Sequence, residues 1–138
     1  MNILVVEDDR FMRGMLFQMM NHIGKHDVSF VTNGHNAVSL LGDPSHGFDL
    51  VFIDLHMPRL TGDKVIQIVQ DIVHTNFVVV TGHPQAFQNP PKHVQFIRKP
   101  FDYNVIEGII AETEKKLKAK KAGGKTVAPE LSQSGTKL

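Results

Sequence analysis

Four places in this 138-residue chain set a chemically capable side chain at the end of a short apolar run. Glu7 and Asp8 follow Ile3-Leu4-Val5-Val6, and Asp54 follows Leu50-Val51-Phe52-Ile53. Thr81 follows Phe77-Val78-Val79-Val80, and Lys99 comes two residues after Val94-Gln95-Phe96-Ile97. Three carboxylates brought together would repel one another, and at least one would resist ionisation. A divalent cation removes that conflict. Mg²⁺ (or Mn²⁺) suits such a donor set, because Mg²⁺ takes oxygen ligands in octahedral geometry and is held by one or two carboxylates plus phosphate. Lys99 adds an ammonium and Thr81 a hydroxyl donor. A nucleophilic carboxylate among a metal, an ammonium and a hydroxyl is an apparatus for phosphoryl transfer, where positioning and charge neutralisation do most of the catalysis.

For these groups to meet, the runs that carry them must lie side by side. Each run is short, rich in β-branched residues and apolar without alternation, the pattern of a strand buried on both faces. Val28-Ser29-Phe30-Val31, closed by the turn signal Asn33-Gly34, supplies a fifth strand. Helix-period segments separate them. Met12, Leu16, Met19 and Ile23 form one stripe with Met20 beside it, Ala37 to Leu41 a short helix, and Val65, Ile66 and Val69 a third. A last helix starts near Asp102, a good N-cap, and carries Val105, Ile106, Ile109 and Ile110. Strands alternating with helices require crossover connections and a parallel sheet covered on both faces. In such a sheet all C-terminal strand ends share one edge, where ligands bind at the switch in strand order. The topology alone therefore gathers Glu7, Asp8, Asp54, Thr81 and Lys99.

Composition bounds the rest. The length suits one domain with a real core. No stretch approaches the roughly 18 apolar residues of a membrane span, and no signal sequence opens the chain. Cysteine is absent, which excludes disulfides and thiolate chemistry and is compatible with a cytoplasmic protein. Residues 1–113 carry eight basic against twelve acidic residues, whereas residues 114–138 carry seven against two. A mildly acidic domain is thus followed by a basic tail. Beyond Lys121 the sequence has no periodicity and is expected to be disordered.

In residues 1 to about 118 the chain resembles the response-regulator receivers of two-component systems. The resemblance rests on Val5-Val6-Glu7-Asp8-Asp9, Asp54-Leu55-His56-Met57-Pro58 with Gly62, Val80-Thr81-Gly82 and Lys99-Pro100-Phe101, in order and each at a strand end. It implies a doubly wound α/β fold, a flavodoxin-like five-stranded parallel sheet of order 2-1-3-4-5, with residues 1–118 as the receiver and 119–138 as the tail. It implies that Asp54 is phosphorylated by a sensor histidine kinase or a histidine phosphotransfer protein, and that the chain catalyses only its own phosphorylation and dephosphorylation. Asp8 would ligate Mg²⁺ directly, Glu7 through a water, and His56 through its main-chain carbonyl. Thr81 and Lys99 would contact the phosphoryl group, Phe96 would be the aromatic switch residue, and the Lys99–Pro100 bond would be cis. His56 and His83, two residues past Asp54 and Thr81, match positions that tune phosphoryl lifetime.

The chain departs from the family in one region. The stretch from Thr81 to Lys99 is short and holds Pro84, Pro90 and Pro91, so the fourth helix is expected to be short or distorted. Nothing after residue 121 resembles a DNA-binding or catalytic domain, which suits either a stand-alone regulator or a receiver separated from a larger protein. The alternatives are a phosphorelay intermediate donating onward to a histidine phosphotransfer protein, and an aspartyl-nucleophile phosphatase. The second is disfavoured because His56 stands where such enzymes place an acid/base Asp. The scattered histidines form no zinc pair. The methionines of the first helix read as core filler, Asp9 as a first-turn residue, and the run Lys115 to Lys121 as a solvated helix end.

Overall fold

The computed structural model describes residues 1–127, the last five by backbone alone. Five strands, β1 (Asn2–Val6), β2 (Asp27–Val31), β3 (Leu50–Asp54), β4 (Asn76–Thr81) and β5 (Gln95–Arg98), form one parallel sheet in the order β2-β1-β3-β4-β5. Four α-helices connect or follow them: α1 (Arg10–Ile23), α2 (Gly34–Leu41), α3 (Gly62–Val69) and α4 (Tyr103–Val127). The doubly wound fold with strand order 2-1-3-4-5 is as the resemblance implied. No described helix is long and apolar enough to cross a membrane.

The unbroken apolar runs reflect burial on both faces of the sheet. Leu4, Val6, Val51, Ile53, Phe77 and Val79 point to the side covered by α2 and α3. Ile3, Val5, Leu50, Phe52, Val78 and Val80 point to the side covered by α1 and α4, where Leu16, Met20, Ile106 and Ile110 complete the core. Met12, Met19 and Ile23 pack against that second cluster, as the helical stripe predicts.

Two connections differ from the sequence expectation in degree. Between β4 and β5 the fourth helix of the family is reduced to one 3-10 turn, Pro84–Ala86. Pro90 and Pro91 lack the N–H groups that a continuing helix needs. At the other end, α4 continues to Val127, past both residue 118 and Lys121, where the tail was expected to begin. Loss of apolar periodicity marks where a helix stops packing, and the Lys- and Ala-rich run has high intrinsic helix propensity. The rest of the expected tail, residues 128–138, lies outside the described residues.

Candidate functional site

The switch in strand order falls between β1 and β3, whose chains leave in opposite directions along the sheet. Their register pairs Val6 with Ile53, which sets the next residues, Glu7 and Asp54, side by side. Glu7 and Asp54 are buried and Asp8 is exposed, and carboxylate oxygens of all three lie within 4.8 Å of one another. Lys99, just past β5, reaches across the end of β4: its Nζ lies 3.3 Å from Asp54 Oδ2 and 3.6 Å from Glu7 Oε1. Its own backbone N–H donates to the Thr81 carbonyl at 2.9 Å, fixing the base of that reach. The Lys99–Pro100 peptide is cis.

Each polar group at the rim is oriented by the backbone around it. The Asp9 N–H donates to Glu7 Oε2 at 3.1 Å, and the His56 N–H donates to Asp54 Oδ1 at 3.1 Å. Thr81 is fully buried, and its Oγ1 accepts from the His83 N–H at 3.0 Å. That contact uses a lone pair and leaves the hydroxyl proton to be donated. The His56 and His83 rings meet edge to face beside these anchors, with centroids 5.9 Å apart. Burial, reinforced by the hydrogen bond and negative charge of Asp54, pushes the Glu7 carboxyl up to about 8. Lys99 offsets only part of this.

Three local features support the site without having been read from the sequence as its supports. Asp9 is the N-cap of α1, accepting from the Phe11 and Met12 N–H groups, rather than a first-turn residue. Arg13, one turn into α1, donates from Nη1 to the carbonyls of Glu7 at 3.0 Å and Asp8 at 2.8 Å. It thereby pins the loop that carries the acidic pair. Gly62 comes so close to the Asp54 carbonyl that a Cβ there would collide with it, while its N–H donates to the Leu55 carbonyl at 2.9 Å. A lone Arg after an acidic pair has no signature that separates this role from a solvated one.

Phe96 sits apart from the carboxylates. It pairs with Val79 across β4 and β5 and therefore faces the side where a full fourth helix is absent. Phe87, buried in the loop after the 3-10 turn, packs edge to face against it at 5.9 Å. Phe96 consequently stays 36% exposed.

Hard oxygen donors converging under an ammonium can hold a small divalent cation and an anion beside it. A model of the response regulator receiver domain matches residues 3–111. The chain belongs to that family. Receivers of this family are signalling phosphoacceptor domains.

The chain is 31% identical over 84 residues to a protein-glutamate methylesterase/protein-glutamine glutaminase of Nitrosospira multiformis, covering 59% of this chain and 22% of the relative. It is 28% identical over 126 residues to nodulation protein W of Bradyrhizobium diazoefficiens, covering 87% and 54%. It thus spans between about a fifth and a half of these two relatives. The receiver domain of a sensor histidine kinase from Pseudomonas aeruginosa, described with a magnesium ion coordinated in its active-site cleft, superposes with a TM-score of 0.71. That match has 19% identity and covers 80% of this chain and 94% of the other, and so speaks to the fold.

Proposed function

We propose that this chain is a cytoplasmic signalling switch that accepts a phosphoryl group on Asp54 from the phosphohistidine of a sensor histidine kinase or a histidine phosphotransfer protein. The observation that carries this reading is the meeting of Glu7, Asp8 and Asp54 with the Lys99 ammonium 3.3 Å from Asp54. The donor set fits Mg²⁺ (or Mn²⁺), held by Asp8 and Asp54 directly, by Glu7 through a water and by the main-chain carbonyl of His56. Such an ion, when bound, supplies the positive charge that lets an anionic phosphoryl group approach a crowd of carboxylates.

The chain's own groups do the rest. An Asp54 oxygen forms the new bond to phosphorus as the bond to the partner's imidazole nitrogen breaks, the electron pair leaving with the imidazole. Lys99 neutralises one phosphoryl oxygen, and the Thr81 hydroxyl donates to another. Drawing Thr81 toward the phosphoryl group alters the end of β4, and Phe96 on the neighbouring strand responds, which shifts the population of a partner-binding surface. His56 and His83 flank the route of the hydrolytic water.

Intact mass after incubation with acetyl phosphate and Mg²⁺ tests the chemistry. The wild-type chain should gain one phosphoryl group and Asp54→Ala none. Uptake by the Asp54→Ala chain, or none by the wild type, overturns the reading. Phosphotransfer assays run in both directions then distinguish a terminal switch from a relay intermediate.

A further inference from the structure

The end of the sheet opposite Asp54 carries a second polar recess. It lies between the C-cap of α3, the loops that enter β4 and β5, and the outer half of α4, with a volume of about 350 Å³. Gln70, His74 and Thr75 line one wall, His93 another, and Lys116 and Lys120 a third. No Asp or Glu lines it. Among the described residues no carboxylate pairs with Lys116 or Lys120.

Lys116 and Lys120 are exposed like the rest of the basic run, but of its lysines they alone border the recess. Lys116 and Lys120 are one helical turn apart and share a face, whereas Lys115 and Lys118 point elsewhere and do not line the recess. Two like charges on one face repel, so an anion between them is favoured over an empty recess. The remaining donors come from other parts of the chain. The His93 ring lies against Phe77, with centroids 6.4 Å apart, and His74 and Thr75 directly precede β4.

We propose that this recess binds a small polyphosphate anion, either inorganic or as the phosphate chain of a nucleotide. Lys116 and Lys120 supply the permanent charge, and His74, His93 and Gln70 supply directional donors. A volume at the small end of ligand cavities suits a short phosphate chain. Two ammonium groups on one helix face, opposite polar groups from two other segments, suit an anion carrying several negative charges rather than a single carboxylate. The recess and Thr81 lie at opposite ends of β4, so this site is separate from the phosphoacceptor.

The test is a titration of the nitrogen-15-labelled full chain with inorganic triphosphate in Mg²⁺-free buffer at low ionic strength. Amides of residues 74–76, 93 and 116–120 should shift saturably. Lys116→Gln/Lys120→Gln should weaken binding by roughly tenfold or more, the loss expected for charge-assisted hydrogen bonds. Lys115→Gln/Lys118→Gln, with the same net charge, should change it less than about threefold, as screened surface charges do. A parallel titration with ATP separates the sources. Tighter binding than triphosphate means that the nucleoside is also held, and equal binding means that the phosphate chain alone is recognised. Equal weakening by both double variants, or shifts spread over the whole basic helix, overturns the proposal by reducing it to net charge. Binding only to a DNA duplex and not to triphosphate overturns it as well.

Discussion

The guanidinium of Arg13 donates to the main-chain carbonyl of Asp8 at 2.8 Å, and the same nitrogen holds the Glu7 carbonyl at 3.0 Å. A residue outside the acidic cluster therefore fixes the backbone on which two of its three carboxylates ride. Hydrogen bonds from charged donors contribute about 1.5–3 kcal/mol each, so their loss should be felt at the metal. Arg13→Gln is expected to weaken Mg²⁺ binding by roughly tenfold, while secondary structure is retained. Isothermal titration with Mg²⁺ measures this. Unchanged affinity would mean that the loop holds its shape unaided.

Glu7 makes the metal-free chain sensitive to alkali. Its carboxyl is pushed up to about 8 from an ordinary 4.5, chiefly by burial and then by Asp54. The folded state therefore binds more protons than the unfolded state between these values, and stability falls as pH rises through that window. The contribution to stability is fully present below about 4.5 and has been lost once the pH passes about 8. In EDTA the melting temperature should decline from pH 5 to pH 9 more steeply for the wild type than for Glu7→Gln. Mg²⁺ binding near neutral pH should also expel close to one proton, because the ion requires the ionised cluster. Titration in buffers of different ionisation enthalpy reads this directly, and zero proton release would contradict it.

His56 and His83 meet edge to face at 5.9 Å, and their backbone N–H groups are bonded to Asp54 and Thr81. On the phosphoacceptor reading proposed above, the two rings act as one cover over the site's two anchors. Alanine at either position should speed autodephosphorylation several-fold by admitting water. The double variant should be faster than wild type by less than the product of the two single effects, because removing one ring already opens the pair. Contacting side chains couple by roughly 0.5–3 kcal/mol in such cycles. Phosphoryl half-lives of the four proteins decide it; independent multiplication of the effects would show two separate shields.

Much of this was legible because burial leaves a strong mark on sequence. Ile3 to Val6, Leu50 to Ile53 and Phe77 to Val80 are apolar on both faces, so their strand character and parallel pairing follow from composition. Once the sheet is parallel, Glu7, Asp54, Thr81 and Lys99 have one edge to share, and the structure gathers them there. Arg13 was not legible, because a side chain bonding main-chain carbonyls has no periodicity or partner residue to betray it. The length of α4 was hidden for the opposite reason. Its outer turns are held by propensity rather than by packing, and apolar spacing is blind to that.

Phe87 and Phe96 divide their labour in a way that the shortened β4–β5 connection imposes. With only the 3-10 turn Pro84–Ala86 in that connection, the buried Phe87 ring does covering that a helix would otherwise do. Phe87 is 3% exposed and joins the core cluster beneath α2 and α3, whereas Phe96 is 36% exposed and rests on Phe87's edge. Phe87→Ala should therefore cost about 3–5 kcal/mol, the usual penalty for emptying a buried aromatic site. Phe96→Ala should cost less, about 1–2 kcal/mol, since roughly a third of its surface already faces water. Urea denaturation of both variants gives the comparison. A larger loss at Phe96 than at Phe87 would mean that the loop does not hold the sheet's flank, and that Phe96 is a fixed core residue rather than one free to move with phosphorylation.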